Sequence, residues 1–148
     1  PRLILAGTAA VSVAAVGAAL FTQHVWGMMP CPWCVLQRMI FLAIAAACLV
    51  GLALPRTGGS LALGLALSGI AAALWQHFVA ASAESCDLTL ADRIVSATGL
   101  DGLWPEVFMP MASCAEAKVQ LFHLPYEAWS GMLFVAAALA MTQVLFRR

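Results

Sequence analysis

Four long apolar stretches, separated by short or polar connections, organise the chain. They run about 3–26, 35–54, 61–81 and 128–146. A helix of about 20 residues crosses a hydrocarbon core of ~30 Å. Each stretch therefore predicts a transmembrane helix. Together they predict an all-α membrane protein, a four-transmembrane-helix bundle forming one domain over residues 1–148. The connections are residues 27–34, a turn over 55–60 and a long polar loop over 82–127. Pro55-Arg56-Thr57-Gly58-Gly59 carries the breaker chemistry of a reversal. Within the long loop, apolar residues at 88, 90, 91, 94, 95 and 97 predict a short amphipathic helix. The proline-broken segment Leu103–Met111 is apolar enough to lie on a bilayer surface or to meet a partner. The first stretch has no charged leader beyond Arg2 and no small-residue cleavage site, so it reads as a span and not as a signal peptide. The opening residue is Pro1, so a few native residues are expected to precede it.

Composition agrees. Of the 148 residues 64% are hydrophobic and only 9% charged, against roughly 25% charged in a soluble domain. The mean hydropathy of +0.96 excludes an ordinary soluble fold. No nucleic-acid patch, phosphate loop or repeat is present. Charge then orients the bundle. Arg2, Arg56, Arg147 and Arg148 fall on one side, and all seven acids fall between Glu84 and Glu127 on the other. By the positive-inside rule the arginine side, with both termini, is cytoplasmic. Cys31, Cys34, Cys86 and Cys114 then face outward, where disulfides persist. Cys48 lies mid-span and reads as a packing residue.

The chemistry concentrates in Cys31-Pro32-Trp33-Cys34 at the start of the second span. Pro32 suits a first helical turn. The open N–H groups and the dipole of a helix start favour a thiolate there. Arg38 follows Cys34 by four positions and shares its face. It is either a snorkelling interfacial arginine or a charge partner for a sulfur or an acceptor oxygen. Gln37 and Arg38 are the strongly polar residues of that span. In the third span Trp75-Gln76-His77 comes near the outer surface and is expected level with Cys34 and Arg38. A histidine at that depth is a candidate functional residue, and the three side chains together suit a flat, polar-headed molecule. His24 and Trp26 read as interfacial, as does Trp129.

Four outward cysteines allow three readings. They can form a zinc-type site of four thiolates, staple a structural membrane protein, or exchange electrons as a thiol–disulfide oxidoreductase. The metal reading lacks a second close Cys pair, and no acid or histidine flanks the first. The redox reading needs an acceptor, and the chain has no iron–sulfur, haem or dinucleotide motif. An activated thiol at the bilayer edge suits a lipid-soluble quinone. Arg38 and His77 are the right types to meet quinone oxygens.

These residues resemble the bacterial disulfide bond formation protein B (DsbB) family over essentially the whole chain. The resemblance rests on Cys31-Pro32-Trp33-Cys34-Val35-Leu36-Gln37-Arg38, Gln76-His77, Cys86-Asp87, Trp104-Pro105-Glu106-Val107-Phe108, Ser113-Cys114-Ala115-Glu116 and Leu124-Pro125-Tyr126-Glu127-Ala128-Trp129. It implies a bacterial inner-membrane enzyme, with the long loop periplasmic. Such an enzyme reoxidises a DsbA-like thioredoxin-fold partner and passes electrons to ubiquinone or menaquinone. By the same resemblance Cys86 meets the partner, Cys114 pairs with Cys86 and exchanges with Cys31, and Cys34 faces the quinone. Arg38, Gln37 and His77 complete the quinone site, and no metal is implied. Some members carry Glu where this chain has the non-titrating Gln37. A vitamin K epoxide reductase-like enzyme is the alternative quinone-linked reading, but that family places its Cys-x-x-Cys in a late span.

Overall fold

The computed structural model of the chain describes residues 2–27, 32–78, 90–108, 120–121 and 124–147. Four long helices carry the apolar stretches: α1 (Arg2–Val25), α2 (Pro32–Ala53), α3 (Pro55–Phe78) and, last in the chain, α7 (Tyr126–Phe146). All four are long and apolar enough to cross a membrane. In lipid every backbone N–H and C=O has to be satisfied within the segment, and a continuous helix does this. The 24 residues of α1 extend about 36 Å at 1.5 Å each.

The bundle is up-and-down. Helix α2 packs against α1 and α3, α3 packs against α7, and α1 closes the ring on α7 over a smaller area. The central helix is α2, which has the largest buried share of the four spans. The inward stripe of α1 is Leu5, Ala9, Ser12, Val16, Ala19, then Thr22 and Gln23. Its steps of three and four are those of a packed helix face, and its small residues permit close approach in lipid. At the core centre Phe41 of α2 stacks on Phe134 of α7, with centroids 4.1 Å apart and planes within 9°.

The reversal between α2 and α3 is tighter than the breaker residues predict. Residues 55–60, expected as a turn, are the opening of α3, and the chain reverses at Leu54 alone. Pro55 stands at the first helical position, where no N–H is needed. Gly58 and Gly51 allow the two helices to meet backbone to backbone, since a Cβ on Gly58 would strike the Gly51 and Ala47 main chain. At the other end Gly27 leaves α1 with φ +71°, the left-handed conformation common just after a helix.

Three short helices follow α3: α4 (Leu90–Thr98), α5 (Leu100–Leu103) and α6 (Pro105–Phe108). The amphipathic helix expected in the long loop corresponds to α4. Val95 and Phe108 bury against Val35, Leu36 and Ala72, so the short helices rest on the start of α2. A two-residue antiparallel pair, β1 (Gln120–Leu121) with β2 (Leu124–Pro125), leads directly into α7. It leaves the fold an all-α bundle.

Candidate functional site

Cys31, Cys86 and Cys114 lie outside the described residues, as does the segment 79–89. Cys48 is buried in the core. The site is therefore built from Cys34, Gln37, Arg38 and what surrounds them.

Cys34 stands in the first turn of α2 and is half-buried. Arg38, one turn further on, is 5% exposed and Gln37 3%. Adjacent residues on a helix point about 100° apart, so both can be buried because α2 has neighbours on several sides. A guanidinium inside an apolar bundle requires hydrogen-bond acceptors to offset its lost hydration. Gln23 of α1 provides one: Arg38 Nη1 donates to Gln23 Oε1 at 2.7 Å. Gln23 is itself 5% exposed. The snorkelling reading of Arg38 thus gives way to an inward, bonded arginine.

Beside this pair lies a cavity of about 230 Å³ between α1, α2 and α7. Cys34, Gln37 and Arg38 line it from α2, Thr22 from α1, and Trp129 and Ser130 from α7. Its remaining walls are apolar, among them Val16, Phe41 and Leu133. Pockets for drug-sized ligands run ~300–1,000 Å³, so this space suits a single substituted ring. Ring carbonyls at its polar end would meet donors of the right kind, with a thiol within the same walls. The residues present therefore fit a quinone headgroup.

His77 is elsewhere. It is exposed near the end of α3 and meets Phe78 edge-on at 4.8 Å. It lines a second groove, of about 450 Å³, with Ile70 and Leu74 of α3 and Met132 and Val135 of α7. Helix α7 stands between the two spaces. Its residues 129, 130 and 133 face the Cys34 cavity, and residues 128, 131, 132 and 135 face the His77 groove. Cys34, Gln37 and Arg38 come together as expected, while His77, expected level with them in one pocket, lines a different one. Trp75 is half exposed.

Gln23 and Thr22 are site residues that the sequence does not single out, and Trp129, expected as an interfacial anchor, lines the cavity with Thr22. Gln23 stands out only once the buried face of α1 is known. It continues the Leu5, Ala9, Ser12, Val16, Ala19 stripe, whereas its neighbour His24 does not. A buried amide in phase with a packed face has to find a polar partner on the next helix.

Comparison with known proteins adds the remaining finding. The family model described as "Disulfide bond formation protein DsbB" matches residues 1–144. The Disulfide bond formation protein B of Herminiimonas arsenicoxydans is 30% identical over 99% of this chain and 96% of its own length. That of Dechloromonas aromatica (strain RCB) is 30% identical over 96% of this chain and 88% of its own. Disulfide bond formation protein B 1 of Pseudomonas aeruginosa is 32% identical over 92% of this chain and 89% of its own.

Proposed function

The chain belongs to the disulfide bond formation protein B (DsbB) family, and from that premise we propose that it is a quinone-dependent thiol–disulfide oxidoreductase. In this reading it reoxidises a DsbA-like dithiol in the periplasm and passes the two electrons to ubiquinone or menaquinone in the inner membrane. The multi-pass bundle has its termini in the cytoplasm and Cys31, Cys34, Cys86 and Cys114 on the periplasmic side.

The observation that carries the proposal is that Cys34 and Arg38 line one cavity inside the bundle, with Arg38 held there by Gln23. Cys86 accepts the partner's thiolate, and exchange through Cys114 and Cys31 moves the dithiol state to the Cys31–Cys34 pair. Each exchange breaks one disulfide and forms another, so electrons and protons are conserved until they leave at Cys34. A quinone bound in the cavity supplies the acceptor for two electrons and two protons. Arg38 offsets negative charge that develops on the Cys34 sulfur or on an oxygen beside it. Gln37, Thr22 and Trp129 are further hydrogen-bonding side chains of the cavity wall. The surrounding apolar residues keep bulk water out, which strengthens each of these interactions.

Purified protein mixed with reduced DsbA-like partner and a soluble ubiquinone analogue tests the reading through the oxidised-quinone absorbance. The signal should fall with the native chain and hold constant in Cys31→Ala and Cys34→Ser. Cys34→Ser should still form the mixed disulfide at Cys86. Full turnover in Cys34→Ser would remove Cys34 from its role. No quinone loss with any thiol partner, together with stoichiometric zinc in the reduced protein, would favour the metal-binding alternative.

A further inference from the structure

We propose that the pocket at the arginine end of the bundle, between the start of α3 and the end of α7, holds the phosphodiester headgroup of an anionic membrane phospholipid. This site is remote from the thiol chemistry and does not depend on it.

The pocket encloses about 400 Å³ and is lined by Leu54, Arg56 and Thr57 on one side and Val144, Leu145 and Arg147 on the other. Its two cations come from segments far apart in the chain, and close packing sets their separation. A Cβ on Gly59 would already stand 3.3 Å from Leu145 and 3.4 Å from Val144. Both arginines are exposed. The segments that line the pocket bring no acidic side chain to neutralise them, because every Asp and Glu of the chain falls between positions 84 and 127.

The backbone adds to the charge. The first hydrogen bond of α3 runs from Gly58 N–H to Leu54 C=O at 2.9 Å. The N–H groups of Arg56 and Thr57 precede it and stand at the positive end of a 24-residue helix. Helix α7 ends at the same pocket, and its terminal carbonyls repel an anion. Arg147 first offsets that end, which makes Arg56 the stronger of the two cations.

The occupant follows from depth and from the walls. At the end of a transmembrane bundle the abundant anions are lipid phosphates, and basic pockets between spans suit such headgroups. Leu54, Val144 and Leu145 give the pocket an apolar wall that a free phosphate does not use and the first carbons of an acyl chain do.

Full-length protein in neutral detergent, titrated with phosphatidylglycerol or with phosphatidylcholine of the same chains, tests this by native mass spectrometry. One phosphatidylglycerol should be retained at concentrations where phosphatidylcholine is not, and it should raise the unfolding temperature. Arg56→Gln should weaken retention about fivefold and Arg147→Gln less. Arg2→Gln, at the same end but outside the pocket, should match the native chain. All three substitutions are at exposed positions, and the unfolding temperature without lipid should stay at the native value. Equal retention of the two lipids would overturn the proposal. So would a loss in Arg2→Gln as large as in Arg56→Gln, which would reduce the effect to general surface charge. Displacement of the lipid by millimolar inorganic phosphate would make the pocket a free-anion site and would also overturn it.

Discussion

Arg38 of α2 donates from Nη1 to Gln23 Oε1 of α1 at 2.7 Å, and both residues are buried within the bundle. The bond ties the helix that carries Cys34 to its neighbour and sets the guanidinium at the wall of the Cys34 cavity. Hydrogen bonds to charged groups contribute about 1.5–3 kcal/mol.

Gln23→Ala removes the acceptor and leaves the charge. The expected result is a loss of about 1.5–3 kcal/mol in stability and a raised KM for quinone. Mixed-disulfide formation with the partner should proceed at the native rate, because it does not involve Arg38. Gln23→Glu keeps an acceptor and should recover most of the stability. Thermal unfolding in detergent and steady-state quinone kinetics check the two parts separately.

Phe134 is fully buried, stacks on Phe41 and fills the space over Gly69, whose Cβ would meet its ring. Phe134→Ala opens a cavity in the centre of the core and should cost about 3–5 kcal/mol. Gly69→Leu should destabilise by the opposite route, overpacking against the same ring. Unfolding temperatures of both variants in one detergent test this.

Gly58 and Gly64 lie on the same helix with opposite surroundings. A side chain at Gly58 strikes the α2 backbone, while nothing stands within 4 Å of one at Gly64. Gly58→Leu should force α2 and α3 apart and lower the unfolding temperature sharply. Gly64→Leu should remain within about 0.5 kcal/mol of the native chain. Equal effects would contradict the close helix crossing.

Phe108 and Val95 bury against Val35, Leu36 and Ala72, and this contact seats the short helices on the start of α2. Phe108→Ala should release them. Hydrogen exchange should accelerate over residues 90–108 while the transmembrane helices keep their protection. Protection unchanged over 90–108 would mean that other contacts hold the short helices.

The spans, their number and the position of Cys34 in the first turn of a helix were legible in the sequence because they depend on local hydropathy and helix-end chemistry. The grouping of Cys34, Gln37 and Arg38 was legible for the same reason, since three residues within five positions of one helix cannot be far apart. The motif order also carried the family. What lay between helices was not legible. The four spans are apolar nearly all round, so hydropathy does not say which side of each meets which neighbour. Packing decided that Gln23 and not His24 meets Arg38, and that α7 separates His77 from the Cys34 cavity. It also decided that 55–60 continue as helix, because the contact of Gly58 with Gly51 permits a reversal at Leu54 alone. Hydropathy acts residue by residue along the chain, whereas a cavity, a buried arginine's acceptor and a close helix crossing exist only once separate helices share a core.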